Sequence, residues 1–444
     1  MSNGIRTREN VATMGRNHPT LAAYRAAVRQ MKNLPQSDPR NWERQAQIHL
    51  GLTGPLDPAG CPHGNWYFLP WHRKYILDFE EICRDLSGDP NFALPYWDWT
   101  QNPSIPGPFW RGTLLDTREV DRDDIIPAQF VGQPIIDDIM RQTDFELFAS
   151  SRPFGQNNTD RRWQRATGGQ ALLERTPHNN VHDWIGGNMQ TFSSPLDPIF
   201  WLHHCNIDRL WAEWNAPPRS RPNTSSALWT NFTLLPFNTL VGTLQSITQL
   251  GYTYDTLAQP QLAVVSPLPP LLERARERFE LMEPQVASLE QAVSFPVQTP
   301  QSALPLAAEA VSAEAVSAQD AAEDGAPKVV TFVRGVEPPE DRRLTVNVFL
   351  NCPYLSAETP VSDPHYVGNF AFFGVHEHED EEAEGEHDMK MSFVFDLSYT
   401  VNRLRALESG LDSQLTVQLM PKPYEGRNVQ SQEIRIEGVQ IYYT

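Results

Sequence analysis

A mainly α segment arranged as a four-helix bundle, followed by an all-β sandwich, is the fold that this 444-residue chain predicts. Three observations carry that reading. Apolar residues recur every three to four positions through much of the first half, the spacing of one helix face. From Val329 they alternate with polar residues, as in strands with one buried face. Between the two lies a stretch rich in Pro, Ala, Glu, Gln and Ser and poor in aromatics. The boundaries follow: residues 1–255 for the helical part, 256–327 for a linker and 328–444 for the sandwich.

Leu21 to Leu34 reads as a first helix, with Leu21, Tyr24, Val28 and Met31 on one face. Pro35, Asp38 and Pro39 break it, and a second helix runs from Trp42 to His49, ending near Gly51. Pro70 suits the first turn of a third, where its missing N–H would be unpaired anyway. Along that helix His72, Tyr75, Phe79 and Ile82 share the buried stripe. Residues 101–165 read as loops with short helices, and 171–185 and 198–214 supply the remaining helices. The linker reads as mobile, with a charged helix over Leu271 to Leu289. Val329–Val333, Leu344–Phe349 and Leu415–Leu419 read as short strands.

Composition removes whole classes of function. A net charge of −19 argues against nucleic acid, whose phosphates need a basic surface; Arg29, Arg40 and the other basic residues form no patch. No run of 18 apolar residues is present to span a membrane. Cys61, Cys83, Cys205 and Cys352 are too scattered for a disulfide framework. The polar opening MSNGIRTREN shows no secretory signal, so cytoplasmic residence is the expectation. Oligomeric state is left open.

Two histidine triplets carry the chemistry: His49, His63 and His72, then His178, His182 and His204. His178 and His182 are four apart, so on a helix both rings leave the same face. Neutral imidazole suits copper, zinc and iron alike. Six nitrogens with no carboxylate or thiolate alongside argue for two copper ions facing each other with dioxygen between them. Helices with inward-pointing ligands are how a bundle core houses such a pair. His203 and His204 are neighbours, and adjacent helical side chains diverge by about 100°, so both cannot easily serve one ion.

FLPWHR with its trailing helix, and PHNNVHDWIGG with DPIFWLHHCNIDRLW, resemble the copper A and copper B signatures of type-3 copper proteins. That family comprises tyrosinases, catechol oxidases and molluscan haemocyanins. The resemblance covers residues 1–255, and Tyr252-Thr253-Tyr254 is similar to the tyrosine motif that ends the core of plant-type polyphenol oxidases, which implies that the segment closes there. RRLTVNVFLN, GNFAFFGVHEHE and IRIEGVQIYYT resemble the C-terminal domain of latent plant-type polyphenol oxidases. It implies two coppers per chain and a phenol oxidase, which hydroxylates monophenols and oxidises o-diphenols to o-quinones with dioxygen. It also implies latency until the C-terminal domain is displaced. The family pattern makes the second residue of the His203–His204 pair the ligand.

Other roles come from the same resemblance. Cys61, two before His63, matches a cysteine that forms a thioether to the middle copper A histidine; otherwise it is an ordinary buried thiol. Glu174 stands where plant-type enzymes hold a water, and Asn179 where bacterial tyrosinases orient it. A carboxylate acting through one water is acceptable base geometry for a phenol proton. The plain alternative is a helix-start acid and a surface amide. Thr191 matches the gate residue above copper A, with Phe192 beside it. Asp208 and Asp98 are candidates to orient a ligand. An oxygen carrier of haemocyanin type and an o-aminophenol oxidase share the same metal pair. A hydrolytic zinc enzyme fits poorly, since catalytic zinc usually keeps one three-ligand site. Glu377 to Asp388, with His376, His378 and His387 in or beside it, reads as a solvated acidic loop; His18 and His365 read as surface or turn residues.

Overall fold

The computed structural model describes residues 4–51, 60–155, 160–257, 267–289, 291–299, 327–373, 390–407, 414–430 and 432–444. The expected acidic loop with His376, His378 and His387 lies outside them. Among the described residues no helix is long and apolar enough to cross a membrane.

The helices form where spacing and caps direct. Helix α1 (Pro19–Asn33) begins on its proline and buries Leu21, Tyr24, Ala27, Val28 and Met31. In α2 (Trp42–Leu50) the Asn41 side chain accepts from the Glu43 and Arg44 N–H groups, and Gly51 at φ 107° ends the helix. Helix α3 (Phe68–Ser87) holds Pro70 in its first turn and stops at Gly88 in the left-handed region. Residues Glu174–His178 form a π-helical turn that includes Pro177 and runs directly into α4 (Asn179–Ile185). Helix α5 (Ile199–Asn215) is buried along nearly its whole length.

A buried charge cluster ties the ends of this helical body together. Strand β1 (Arg6–Arg8) pairs in parallel with β2 (Tyr252–Tyr254). Arg8 reaches Glu80 on α3 (3.1 Å) and Asp208 on α5 (3.2 Å). Arg73 binds the other oxygen of Asp208 at 2.6 Å, and the Tyr252 and Tyr254 hydroxyls donate to the same carboxylate. Tyr252-Thr253-Tyr254 is thereby tied to β1 and, through Asp208, to α5.

The second body is a sandwich of two antiparallel sheets. Its strands are β3 (Glu277–Leu281), β4 (Gln285–Ala287), β5 (Val293–Gln298), β6 (Val329–Val336), β7 (Leu344–Leu350), β8 (Tyr366–Phe370), β9 (Met391–Asp396), β10 (Gln414–Pro423) and β11 (Ile434–Tyr443). One sheet has the order β8-β7-β10-β5 and the other β9-β6-β11-β3, with β4 also on β11. Phe295, Val346, Phe370, Phe393, Val417 and Ile441 meet between them.

The expected linker needs correction. Of Leu271 to Leu289 only Leu271–Arg274 is helical, and Glu277 to Gln298 supplies three strands of the sandwich. Buried Val293, Phe295 and Val297 alternate with exposed Ser294, Pro296 and Gln298. Composition masked this alternation, and Pro296 is tolerated because β5 is an edge strand.

The two bodies are joined at a sheet edge. The Gln170 N–H donates to Ser392 O and the Val394 N–H donates to Gln170 O, both at 2.9 Å, so one residue of the helical body extends β9. Gly169 permits this approach, since a Cβ there would lie 2.8 Å from the Phe332 ring. Leu147, Ala171 and Leu271 pack on Val330, Phe332, Val394 and Tyr442 around the join.

Candidate metal centre

The predicted histidines converge. His49 sits in the last turn of α2, His63 in the loop before α3, and His72 in the second turn of α3. His178 ends the π turn, His182 lies on α4, and His203 and His204 lie on α5. Their ligand atoms form two groups, His49-Cys61-His63-His72 and His178-His182-His203-His204, with the atoms of each group within 4.8 Å of one another. The groups face each other. His72 stacks on His204 with centroids 4.3 Å apart, and His63 on His178 at 5.4 Å. Phe68 lies against both groups, 4.8 Å from His72 and 4.7 Å from His178.

Hydrogen bonds set the tautomers. The His49, His72 and His182 Nδ1 atoms lie 2.8, 2.8 and 2.6 Å from the carbonyl oxygens of Phe192, Phe68 and Met189. A carbonyl only accepts, so each Nδ1 carries the proton and each Nε2 keeps a bare lone pair. His178 Nδ1–H donates to Asn179 Oδ1 at 2.8 Å, and His63 Nδ1 faces Glu174 Oε1 at 3.2 Å. The His63 and His178 Nε2 atoms are buried with no hydrogen-bond partner among the described residues. The Nε2 atoms of His49 and His72 face each other at 3.4 Å, as do those of His182 and His204. At His49 and His72, whose protons are both on Nδ1, the facing lone pairs repel unless a cation lies between them, and two nitrogens each about 2 Å from one ion are separated by such a distance. His203 is different. Trp99 Nε1–H donates to its Nδ1 at 3.1 Å, so its proton is on Nε2. Burial holds the His49 imidazole down to about 3, and the others well below their ordinary range, so all are neutral ligands at neutral pH.

The structure brings some expected residues to the rings and turns others away. Cys61 is buried and within the first group; burial raises its thiol well above the usual range. Glu174 is fully buried, with Oε1 accepting from the Gly64 N–H at 2.8 Å as well as facing His63, and Oε2 accepting from Ser150. Burial raises its carboxyl to about 8 against the pull of the Ser150 and Gly64 bonds. Asn179 is buried too, so neither is a surface group. At the expected gate, Thr191 hydrogen-bonds back to Asn188 O, while the Phe192 ring lies 5.7 Å from both His49 and His63. Asp208 orients no ligand, being committed to Arg8, Arg73 and two tyrosines, and Asp98 caps a turn at Thr100. His365 bonds to Leu350 O, away from the site.

One side chain that the sequence reading could not single out comes from the sandwich. Phe373, just beyond β8, stacks on His182 with centroids 3.7 Å apart and planes 13° from parallel. Its ring is also 5.1 Å from His63 and 5.4 Å from His178. Only its place inside GNFAFFGVHEHE marked it.

Comparison with known proteins agrees with this geometry. The family model of the common central domain of tyrosinase matches residues 39–115 and 116–217, and a domain of unknown function matches 283–444. A tyrosinase of Hahella sp. is 28% identical over 99% of each chain. The chloroplastic polyphenol oxidase of Malus domestica is 26% identical over 90% of this chain and 72% of its own. Latent apple tyrosinase shares the fold, with a TM-score of 0.67 at 22% identity over 99% of this chain and 97% of that one. The cytoplasmic expectation is overturned here. The plant relatives, including those of Vicia faba and Vitis vinifera, are named chloroplastic, so a polar opening does not specify the cytoplasm. With two facing histidine groups suited to two coppers inside it, the segment 39–217 carries the common central domain of tyrosinase, and the chain as a whole is similar to tyrosinases and polyphenol oxidases.

Proposed function

We propose that this chain is a latent phenol oxidase that hydroxylates monophenols and oxidises o-diphenols to o-quinones, reducing dioxygen to water. His49, His63 and His72 would hold one copper, and His178, His182 and His204 the other. When bound, the copper pair supplies the redox chemistry that couples phenol oxidation to dioxygen reduction. The observation that carries the reading is the set of Nε2 lone pairs left bare by carbonyl and side-chain acceptors behind the rings.

The protein's own part is orientation and exclusion. Phe68 O, Phe192 O, Met189 O, Glu174 and Asn179 each hold one ring by its Nδ1. Glu174 is also our candidate to take the phenolic proton through a water, from behind His63. A thioether between Cys61 and His63 would lock the ring that its weakest acceptor leaves loosest. Phe373 occupies the place where a phenol ring would stack, and Phe192 stands at the entrance in place of Thr191.

A closed cleft also suits an oxygen carrier. Oxygen uptake with catechol and with a monophenol, before and after Phe373→Ala, separates the two. An enzyme gains turnover when the ring is removed, whereas a carrier binds dioxygen without consuming catechol. A panel that includes o-aminophenol separates the third reading in the same assay.

A further inference from the structure

The sandwich reaches the histidines by a second route besides Phe373. The backbone of Gln170 extends β9 through its bonds to Ser392 and Val394. Its side chain turns inward, and Oε1 accepts from Asn179 Nδ2 at 2.6 Å. The same Nδ2 donates to Ala371 O, in the sandwich, at 3.1 Å. Both hydrogens of the amide are thereby used. Asn179 Oδ1 can then only point at His178, where it accepts from Nδ1–H at 2.8 Å. Rotating the amide would set its NH2 against a donor and its oxygen against two acceptors, losing all three bonds. Gln170 is 2% exposed and Asn179 and His178 are fully buried, so water offers no substitute partners.

We propose that Gln170 is a positioning residue for His178, so that docking the sandwich edge orients a metal ligand as well as covering the site. The inference rests on the reading of His178 as a copper ligand. Coupling of this kind is reciprocal: a docked sandwich tightens the second copper, and that copper tightens docking. Gln170 differs from Glu174 and Asn179 in touching no imidazole itself.

The test is copper release from the full-length, copper-loaded protein to excess chelator, followed as two ions per chain, with thermal unfolding of the copper-free protein alongside. Gln170→Met keeps the backbone bonds and the volume but removes the acceptor. One of the two ions should leave about tenfold faster, the loss typical of a partner behind a ligand, while the copper-free melting temperature is unchanged. Gln170→Glu, which keeps an acceptor facing Asn179, should restore the slow rate. Release from Gln170→Met at the wild-type rate overturns the proposal, as does equal acceleration in Gln170→Glu. Should Gln170→Met not fold, Gln170→Asn makes the same cut by falling one carbon short, and the same outcomes apply. His178→Ala distinguishes the underlying reading: one copper per chain supports it, and two would overturn the ligand assignment and the relay together.

Discussion

The proton on most of these imidazoles is placed by a partner, and at His203 this separates two neighbours that spacing treats alike. His203 and His204 are both buried in the second group, but Trp99 donates to His203 Nδ1 and leaves it no free lone pair. Replacing His204 with alanine should therefore reduce copper from two ions per chain to one, whereas His203→Gln should keep both; metal analysis of the purified variants reads this directly. The family resemblance points to His204, and the indole donor on His203 supports that reading. The Cys61 thiol lies within 4.8 Å of the ligand atoms of its group, and its proposed thioether to His63 can be tested directly. Peptide mapping should find the Cys61–His63 peptide short of a pair of hydrogens, and a Cys61 that alkylates in copper-loaded protein would exclude the bond. Glu174→Gln and Asn179→Ala should depress monophenol turnover more than diphenol turnover, because only the monophenol depends on an added proton acceptor. Equal losses would mean that both residues act solely by holding His63 and His178. Phe192 was harder to place from sequence. A thirteen-residue offset to Thr191 cannot tell which of two adjacent loop side chains turns inward; Thr191 bonds back to Asn188 O, while the Phe192 ring lies 5.7 Å from His49 and His63.

Elements with a strong period and local caps were legible, whereas those made by long-range pairing were not. The helices read as Leu21–Leu34 and Trp42–His49 are Pro19–Asn33 and Trp42–Leu50, and Pro70 does lie in the first turn of α3. Spacing placed His178 and His182 on one helical face, but it did not show that His178 closes a π turn. Pro177 has no N–H to give to the preceding turn, and such widened turns often mark functional sites. The strands in Glu277 to Gln298 were missed because proline and charge suggested a linker while their partners lie over 100 residues away. The cluster at Asp208 was read as a possible ligand partner because carboxylate position alone shows neither of its arginines. Arg73 and Arg8 hold that carboxyl below its ordinary value although burial would raise it. A depressed folded value means the stabilisation is in place above the unfolded value near 3.8 and is lost as pH falls through the folded one. Asp208→Asn leaves two buried guanidiniums short of charge, so unfolding at neutral pH should cost about 3–5 kcal/mol less. In denaturant titrations this deficit should shrink below about pH 4. A variant as stable as the parent at neutral pH would remove the cluster from the account of how β1 and β2 are held.

At the scale of the whole molecule, the proposed latency would rest on where Phe373 is anchored. The ring stacks on His182 while its neighbours are pinned: Ala371 O accepts from Asn179, and the Phe372 N–H donates to Asp183 at 2.9 Å. Arg175, buried in the π turn, donates to Asn369 O and Val394 O across the same boundary. These are short tethers on a covalently linked domain, whose effective concentration makes even a modest interface persist. The sequence located this domain but put its joint in the wrong place. Residues 300–326 connect β5 to β6, two strands of the one sandwich, and do not join the two bodies. The crossing from helical body to sandwich instead falls between β2, ending at Tyr254, and Leu271, whose N–H donates to Glu146 on the helical body. Protease sites engineered at each place should therefore behave differently. A cut within 300–326 should leave Phe373 in position and activity low, because both strand partners still hold the sandwich together. A cut between Leu257 and Leu271 frees the domain to leave, and catechol oxidation should rise on the order of tenfold, about 1.4 kcal/mol of cover removed. Phe373→Gly should give a rise of similar size in the uncut chain, since it removes the ring but spares every tether. Activation by the first cut alone, or none by Phe373→Gly in copper-loaded protein, would place the restraint on this enzyme somewhere other than that ring.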